Sequence, residues 1–136
     1  MIRKKTVLII DDEIDLCLLL KSYFVRQDYE VYLSHSLADG LEMIRKENPA
    51  IIFLDNNLPD GTGWAHAPQI ANLHPDIKIN LISAFHPAIP EMPEGVQFYV
   101  YEKPVTLADL DKQFSTLPRP LEEDSPNGVS KPAGKN

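Results

Sequence analysis

The feature that most constrains the fold of this chain is a series of five short apolar runs, most of them separated by stretches of helical character. The runs are Val7 to Ile10, Val31 to Ser34, Ile51 to Leu54, Ile77 to Ile82 and Val96 to Tyr101, each of strand length. Between the first two, Leu16, Leu19, Leu20, Tyr23 and Phe24 recur at three- and four-residue steps, which predicts a helix with one apolar stripe. Ser36 is placed to cap a second helix, with Asp39 three residues on as in a capping box, Leu37, Leu41 and Ile44 facing inward, and Pro49 beyond its end. Pro68 is tolerated only near a first turn, so the third helix is expected over about Ala67 to Leu73. A last helix is expected from the N-cap Thr106 to Leu117, with Leu107, Leu110 and Phe114 inward. Strands alternating with helices give a parallel sheet covered on both faces, and the unbroken Ile51-Ile52-Phe53-Leu54 suits its centre.

With 136 residues the chain has room for one domain, expected over residues 1–117. From Pro118 to Asn136 the composition turns to Pro, Ser, Gly and charge, which predicts a disordered tail. The formal charge of −7 gives no basic face for nucleic acid and favours a protein or small-molecule partner. The one cysteine, Cys17, excludes an internal disulfide and is expected in the core of the first helix. No apolar stretch reaches the ~18 residues needed to span a membrane, and the start lacks the apolar segment of a signal peptide, so a cytoplasmic location is expected.

The polar residues at the ends of the runs carry the chemistry. Run one leads into Asp11-Asp12, run three into Asp55, run four into Ser83 and run five into Lys103. Right-handed crossovers point parallel strands the same way, so these residues converge on the carboxyl edge, where open sheets bind ligands. Three gathered carboxylates repel one another and raise each other's pKa unless a cation is present. All-oxygen ligands select a hard ion, and magnesium takes one or two carboxylates with waters and phosphate oxygens. A metal, a lysine and a hydroxyl around a carboxylate are suited to stabilising a transferring phosphoryl group.

Ile9-Ile10-Asp11-Asp12-Glu13, Leu54-Asp55-Asn56-Asn57-Leu58-Pro59-Asp60-Gly61-Thr62-Gly63, Ser83-Ala84 and Lys103-Pro104, in this order and spacing, resemble the response-regulator receiver family over roughly residues 5 to 117. The resemblance implies an α/β fold, a flavodoxin-like doubly wound five-stranded parallel sheet of order 2-1-3-4-5. It implies Asp55 as phosphoacceptor, with Mg2+ bound directly by Asp12 and Asp55, by Asp11 mainly through water, and by the backbone carbonyl of Asn57. Lys103 would pair with phosphoryl oxygens and Ser83 would hydrogen-bond one of them. The implied partners are a histidine kinase or histidine phosphotransfer protein upstream and an unspecified protein downstream, in a self-contained receiver acting as a signalling phosphoacceptor rather than an enzyme.

Two departures from the family pattern bear on output. Pro87, Pro90 and Pro93 oppose the usual fourth helix, since interior proline costs about 3 kcal/mol each, so a loop or single turn is expected there. Val100 stands where an aromatic usually precedes the lysine by three residues, flanked by Tyr99 and Tyr101 on the other strand face. Readout is therefore expected through the 84-to-95 loop and the start of the fifth strand rather than through a rotating aromatic. The alternatives are an interaction module of the same fold that never uses phosphate, and a magnesium-dependent phosphohydrolase working through an aspartyl phosphate. The second is opposed by Asn57, which stands where a second acid would be needed, and by the short chain. Other polar residues read as structural: Asp12 as a helix cap besides its metal role, Gly61 and Gly63 as loop, Trp64 as packing, and His35, His66, His74 and His86 as surface or loop positions.

Overall fold

The computed structural model describes residues 4–115. Its strands are β1 (Thr6–Ile10), β2 (Glu30–Ser34), β3 (Ile51–Asp55), a short hairpin of β4 (Asn57–Leu58) and β5 (Gly61–Thr62), then β6 (Lys78–Ser83) and β7 (Phe98–Glu102). Its helices are α1 (Ile14–Arg26), α2 (Leu37–Glu47), α3 (Ala67–Leu73) and α4 (Leu107–Phe114). The five long strands form one parallel sheet in the order β2-β1-β3-β6-β7, which is the expected 2-1-3-4-5 when only those strands are counted. The expected last helix ends at Phe114, and the tail expected from Pro118 lies outside the described residues.

The apolar runs are unbroken because both faces of the sheet are covered. Val7, Ile9, Ile51 and Phe53 join α1 and α4 in one core, around Phe24, Leu110 and Phe114. Leu8, Ile10, Ile52 and Leu54 join α2 and α3 in the other, around Ile44, Ile70 and Trp64. Phe24, Phe53 and Phe114 meet one another with ring centroids 5.0 to 5.8 Å apart, giving the first core an aromatic centre.

The helices follow their caps. Ser36 Oγ accepts from the Asp39 N–H, while the Leu37 and Ala38 N–H groups donate to the Asp60 carboxylate at 2.7 and 2.9 Å. Those backbone bonds hold the Asp60 carboxyl below its usual pKa. Thr106 and Asp109 form a complete capping box at α4. Two inward expectations fail. Leu19 and Leu107 are exposed, whereas Leu16, Cys17, Leu20, Tyr23 and Phe24 make the buried face of α1 and Leu110 and Phe114 that of α4. A heptad-like stripe is wider than the seam one sheet face can cover, so its flanking leucines turn to solvent.

Between β6 and β7 there is no helix, as the prolines require. The segment holds exposed Phe85 and Ile89, and Val100 on β7 is 44% exposed beside it.

Candidate functional site

Each acid is placed by the strand that precedes it. Asp11 follows the last residue of β1 and Asp55 is the last residue of β3, an inner strand pair in parallel register. Both are almost wholly buried, whereas Asp12, one residue on, is exposed. Oxygens of Asp11, Asp12 and Asp55 nevertheless all lie within 4.8 Å of one another, forming the one cluster of metal-ligating type among the described residues. Asn57 is exposed on β4, two residues past Asp55, and its backbone N–H hydrogen-bonds the Asp55 carboxylate.

Lys103 reaches this cluster from the end of β7. Its Nζ stands 3.1 Å from Asp11 Oδ2, 3.5 Å from Asp55 Oδ1 and 3.0 Å from Glu13 Oε1. The lysine is only 16% exposed, and burial works against its charge, but the Glu13, Asp11 and Asp55 carboxylates outweigh that and raise its pKa. Asp11 Oδ2 touches the ammonium without hydrogen-bond alignment and has no other partner, while Asp11 Oδ1 accepts from the Glu13 N–H at 2.8 Å. Burial raises the Asp11 pKa. Burial, then repulsion from Asp11, pushes Asp55 up to about 6 against the pull of Lys103. This is the signature of carboxylates gathered without enough compensating charge.

Ser83, buried at the end of β6, accepts from the Phe85 N–H through Oγ at 3.1 Å, and its carbonyl accepts from the Lys103 N–H. The hydroxyl and the lysine are therefore tied to each other through one backbone bond at the β6/β7 edge.

The floor of the site explains two residues that looked merely structural. The Trp64 indole N–H is shared by the Leu54 and Ile82 carbonyls at 3.1 and 3.2 Å, bolting together β3 and β6 just beneath Asp55 and Ser83. A Cβ on Gly63 would come within 2.1 Å of the Asp55 carbonyl oxygen, so that glycine is required by close approach and is more than an ordinary loop residue.

The sequence brought together Asp11, Asp12, Asp55, Ser83 and Lys103, but misassigned the helix cap and missed three residues. No side chain caps α1 from Asp12; its N-cap is Glu13, and Asp11 holds the Glu13 N–H instead. Glu13 was legible as a third acid, but its reach to a lysine 90 positions away was not. Asp60 stitches the loop after β3 to α2, and the exposed His35 brings Nδ1 to 3.0 Å from the Asp11 carbonyl. Cys17 is buried, and its thiol pKa is pushed up to about 12 by burial, which leaves it inert.

Residues 7–114 match the family described as response regulator receiver domain. The chain belongs to this family. Receiver domains are generally signalling phosphoacceptor modules that bind Mg2+ in an acidic pocket and take phosphate from histidine kinases or phosphotransfer proteins. The transcriptional regulatory protein ZraR of Salmonella typhimurium is 28% identical over 98% of this chain and 30% of its own length. The response regulator protein PilR of Pseudomonas aeruginosa is 30% identical over 90% of this chain and 29% of its own. The chain thus spans about 30% of the length of these two curated relatives. The response regulator TrrA of Thermotoga maritima, solved in complex with Mg2+ and BeF, superimposes with a TM-score of 0.68 at 23% identity, covering 79% of this chain and 94% of that one. At that identity the likeness is one of fold. Among the described residues no helix is long and apolar enough to cross a membrane.

Proposed function

We propose that this receiver domain accepts a phosphoryl group on Asp55 from a histidine kinase or histidine phosphotransfer protein, with Mg2+ in the acidic pocket, and signals through the resulting change at Ser83 and Lys103. The observation that carries this reading is the convergence of Asp11, Asp12 and Asp55 within 4.8 Å, with Lys103 against two of them. The donor set fits the ion: every candidate ligand is a hard oxygen, and Asp11 Oδ2 is buried without a hydrogen bond. TrrA, which shares the fold, was solved in complex with Mg2+ and BeF, in keeping with this reading.

Asp11, Asp12, Asp55 and the Asn57 carbonyl are the proposed magnesium ligands. When bound, the ion supplies positive charge that offsets the repulsion between Asp55 and the incoming phosphoryl oxygens. An Asp55 carboxylate oxygen forms a bond to phosphorus as the phosphorus–nitrogen bond to the donor histidine breaks, and the nitrogen keeps the bonding pair. Lys103, already 3.5 Å from Asp55 Oδ1, pairs with the added negative charge, and the Ser83 hydroxyl donates to a phosphoryl oxygen. Because the Ser83 carbonyl holds the Lys103 N–H, the two move together.

The acidic balance of −7 argues against direct contact of this domain with nucleic acid, and a cytoplasmic setting is the one in which its phosphodonors work. A domain boundary near residue 117 and the dispensability of residues 118–136 for folding belong to the same proposal. An interaction module independent of phosphate is the second reading, favoured by the irregular segment between β6 and β7. Incubation with acetyl phosphate followed by intact-mass measurement separates them. The proposal expects one added phosphoryl mass that disappears in Asp55→Asn and on chelation of magnesium; no mass gain, or an unchanged gain in Asp55→Asn, overturns it.

A further inference from the structure

β7 is an outer strand, and the hydrogen bonds on its inner side fix which of its backbone groups face outward. Ile79 N donates to the Gln97 carbonyl and Lys103 N to the Ser83 carbonyl, in a parallel register that pairs Ile79 with Phe98 and Ile82 with Tyr101. Parallel ladders use alternate residues of each strand, so Gln97, Tyr99, Tyr101 and Lys103 turn their N–H and C=O groups toward β6. Phe98, Val100 and Glu102 turn theirs away, and among the described residues nothing bonds them.

Such an edge is a template for strand pairing, and proteins usually blunt it with charge, proline or a covering helix. Here the centre of the edge is Val100, 44% exposed on the sheet face where the chain between β6 and β7 forms no helix. His86 Nε2, 2.8 Å from the Glu102 carboxylate, holds that irregular segment against the end of the strand rather than over its middle. On the opposite face a groove opens between β7 and α4, with Tyr99 and Tyr101 on one side and Asp109 and Lys112 on the other.

We infer that two copies of this chain join edge to edge through β7, antiparallel about a twofold axis at Val100. The strand is self-complementary in that register. Val100 meets Val100 of the partner subunit, and Phe98 meets Glu102 of the partner subunit, each pair of outward-facing residues exchanging both backbone bonds. On the groove side Tyr99 falls opposite Tyr101 of the partner subunit, a cross-strand aromatic pair of the stabilising type. The same axis sets the two α4 helices antiparallel on one face, bringing Asp109 toward Lys112 of the partner subunit. The charges on this groove are thus complementary to themselves, which selects a second copy over an unrelated strand. The association does not depend on phosphorylation of Asp55, so it stands or falls separately from the proposed function.

Sedimentation of the 136-residue chain over a concentration series, with amide exchange followed by NMR, tests this. The expected result is a concentration-dependent dimer in which the Phe98, Val100 and Glu102 amides become protected on dimerisation, whereas those of Tyr99 and Tyr101 are protected throughout. At a concentration where both chains are monomeric Val100→Lys should keep the melting temperature, and over the series it should weaken association at least about tenfold, a loss of ~1.4 kcal/mol. A monomer at every concentration overturns the inference. So does a dimer whose three outward amides stay exposed, or one that Val100→Lys leaves intact.

Discussion

The two sides of the site are built on different principles. On the β1/β3 side the acids sit at the ends of strands buried on both faces, and the loop beyond Asp55 is fastened by Trp64 to two carbonyls, by Asp60 to α2 and by the tight approach of Gly63. On the β6/β7 side Ser83 and Lys103 hang from strand ends joined by a segment without a helix, with Phe85 and Ile89 exposed and few backbone bonds of its own. The closely fastened surroundings of Asp55 suit the role proposed for it, because a nucleophile has to be held in a fixed geometry. The signal proposed above needs an element that can move at small cost, and a proline-spaced segment with few backbone bonds suits that part.

The contrast can be broken most severely at glycine. Gly63→Ala forces a Cβ against the Asp55 carbonyl and Leu54, and we expect a loss of about 4 kcal/mol or outright unfolding in urea titrations. Gly95→Ala, at φ +86 with nothing within 4 Å of the added carbon, should cost only the left-handed backbone penalty of about 1 kcal/mol. Equal losses would dissolve the distinction.

A smaller effect of opposite sign is expected at Asp55. Its folded pKa of about 6 lies above the ordinary carboxyl value of 3.8, so the folded state holds its proton more tightly. Its contribution to stability is therefore full below about pH 4 and is lost as pH rises through 6. In chelator, Asp55→Asn should melt higher than the parent at pH 8, with a stability gain of about 2 to 3 kcal/mol, because each tenfold change in proton affinity is worth ~1.4 kcal/mol. The gap should close toward pH 4. A gap independent of pH would show that the carboxylate is not under strain.

The smallest effect is expected at Phe85, 76% exposed in the segment between β6 and β7. Phe85→Ala should change stability by less than about 0.5 kcal/mol in the same titrations. A larger loss would mean that the segment is packed after all, and would bring the two sides closer in kind.

Much of this was legible in the sequence, for identifiable reasons. Apolar runs buried on both faces carry no competing pattern, so the strands at Val7, Ile51 and Ile77 were readable to within a residue or two. The prolines at 87, 90 and 93 excluded a helix through a local steric rule that needs no tertiary information. Amphipathic helices were harder at their flanks, where Leu19 and Leu107 matched the period yet lie outside the width the sheet covers.

By itself the sequence determined the strands, the helices and the acids, serine and lysine at the strand ends, because periodicity and strand ends are local properties of the chain. Only the tertiary structure decided how those groups are used. Asp11 and Asp12 are neighbours of one type, yet one is buried and holds the Glu13 N–H while the other faces solvent, because where the chain leaves β1 sets their sides. Lys103 meets Glu13 as closely as it meets Asp11, and Trp64 finds carbonyls on two strands at once. These pairings join residues that share no local pattern. They exist only because the crossovers stack β1, β3, β6 and β7 in one register and bring their carboxyl ends to the same edge.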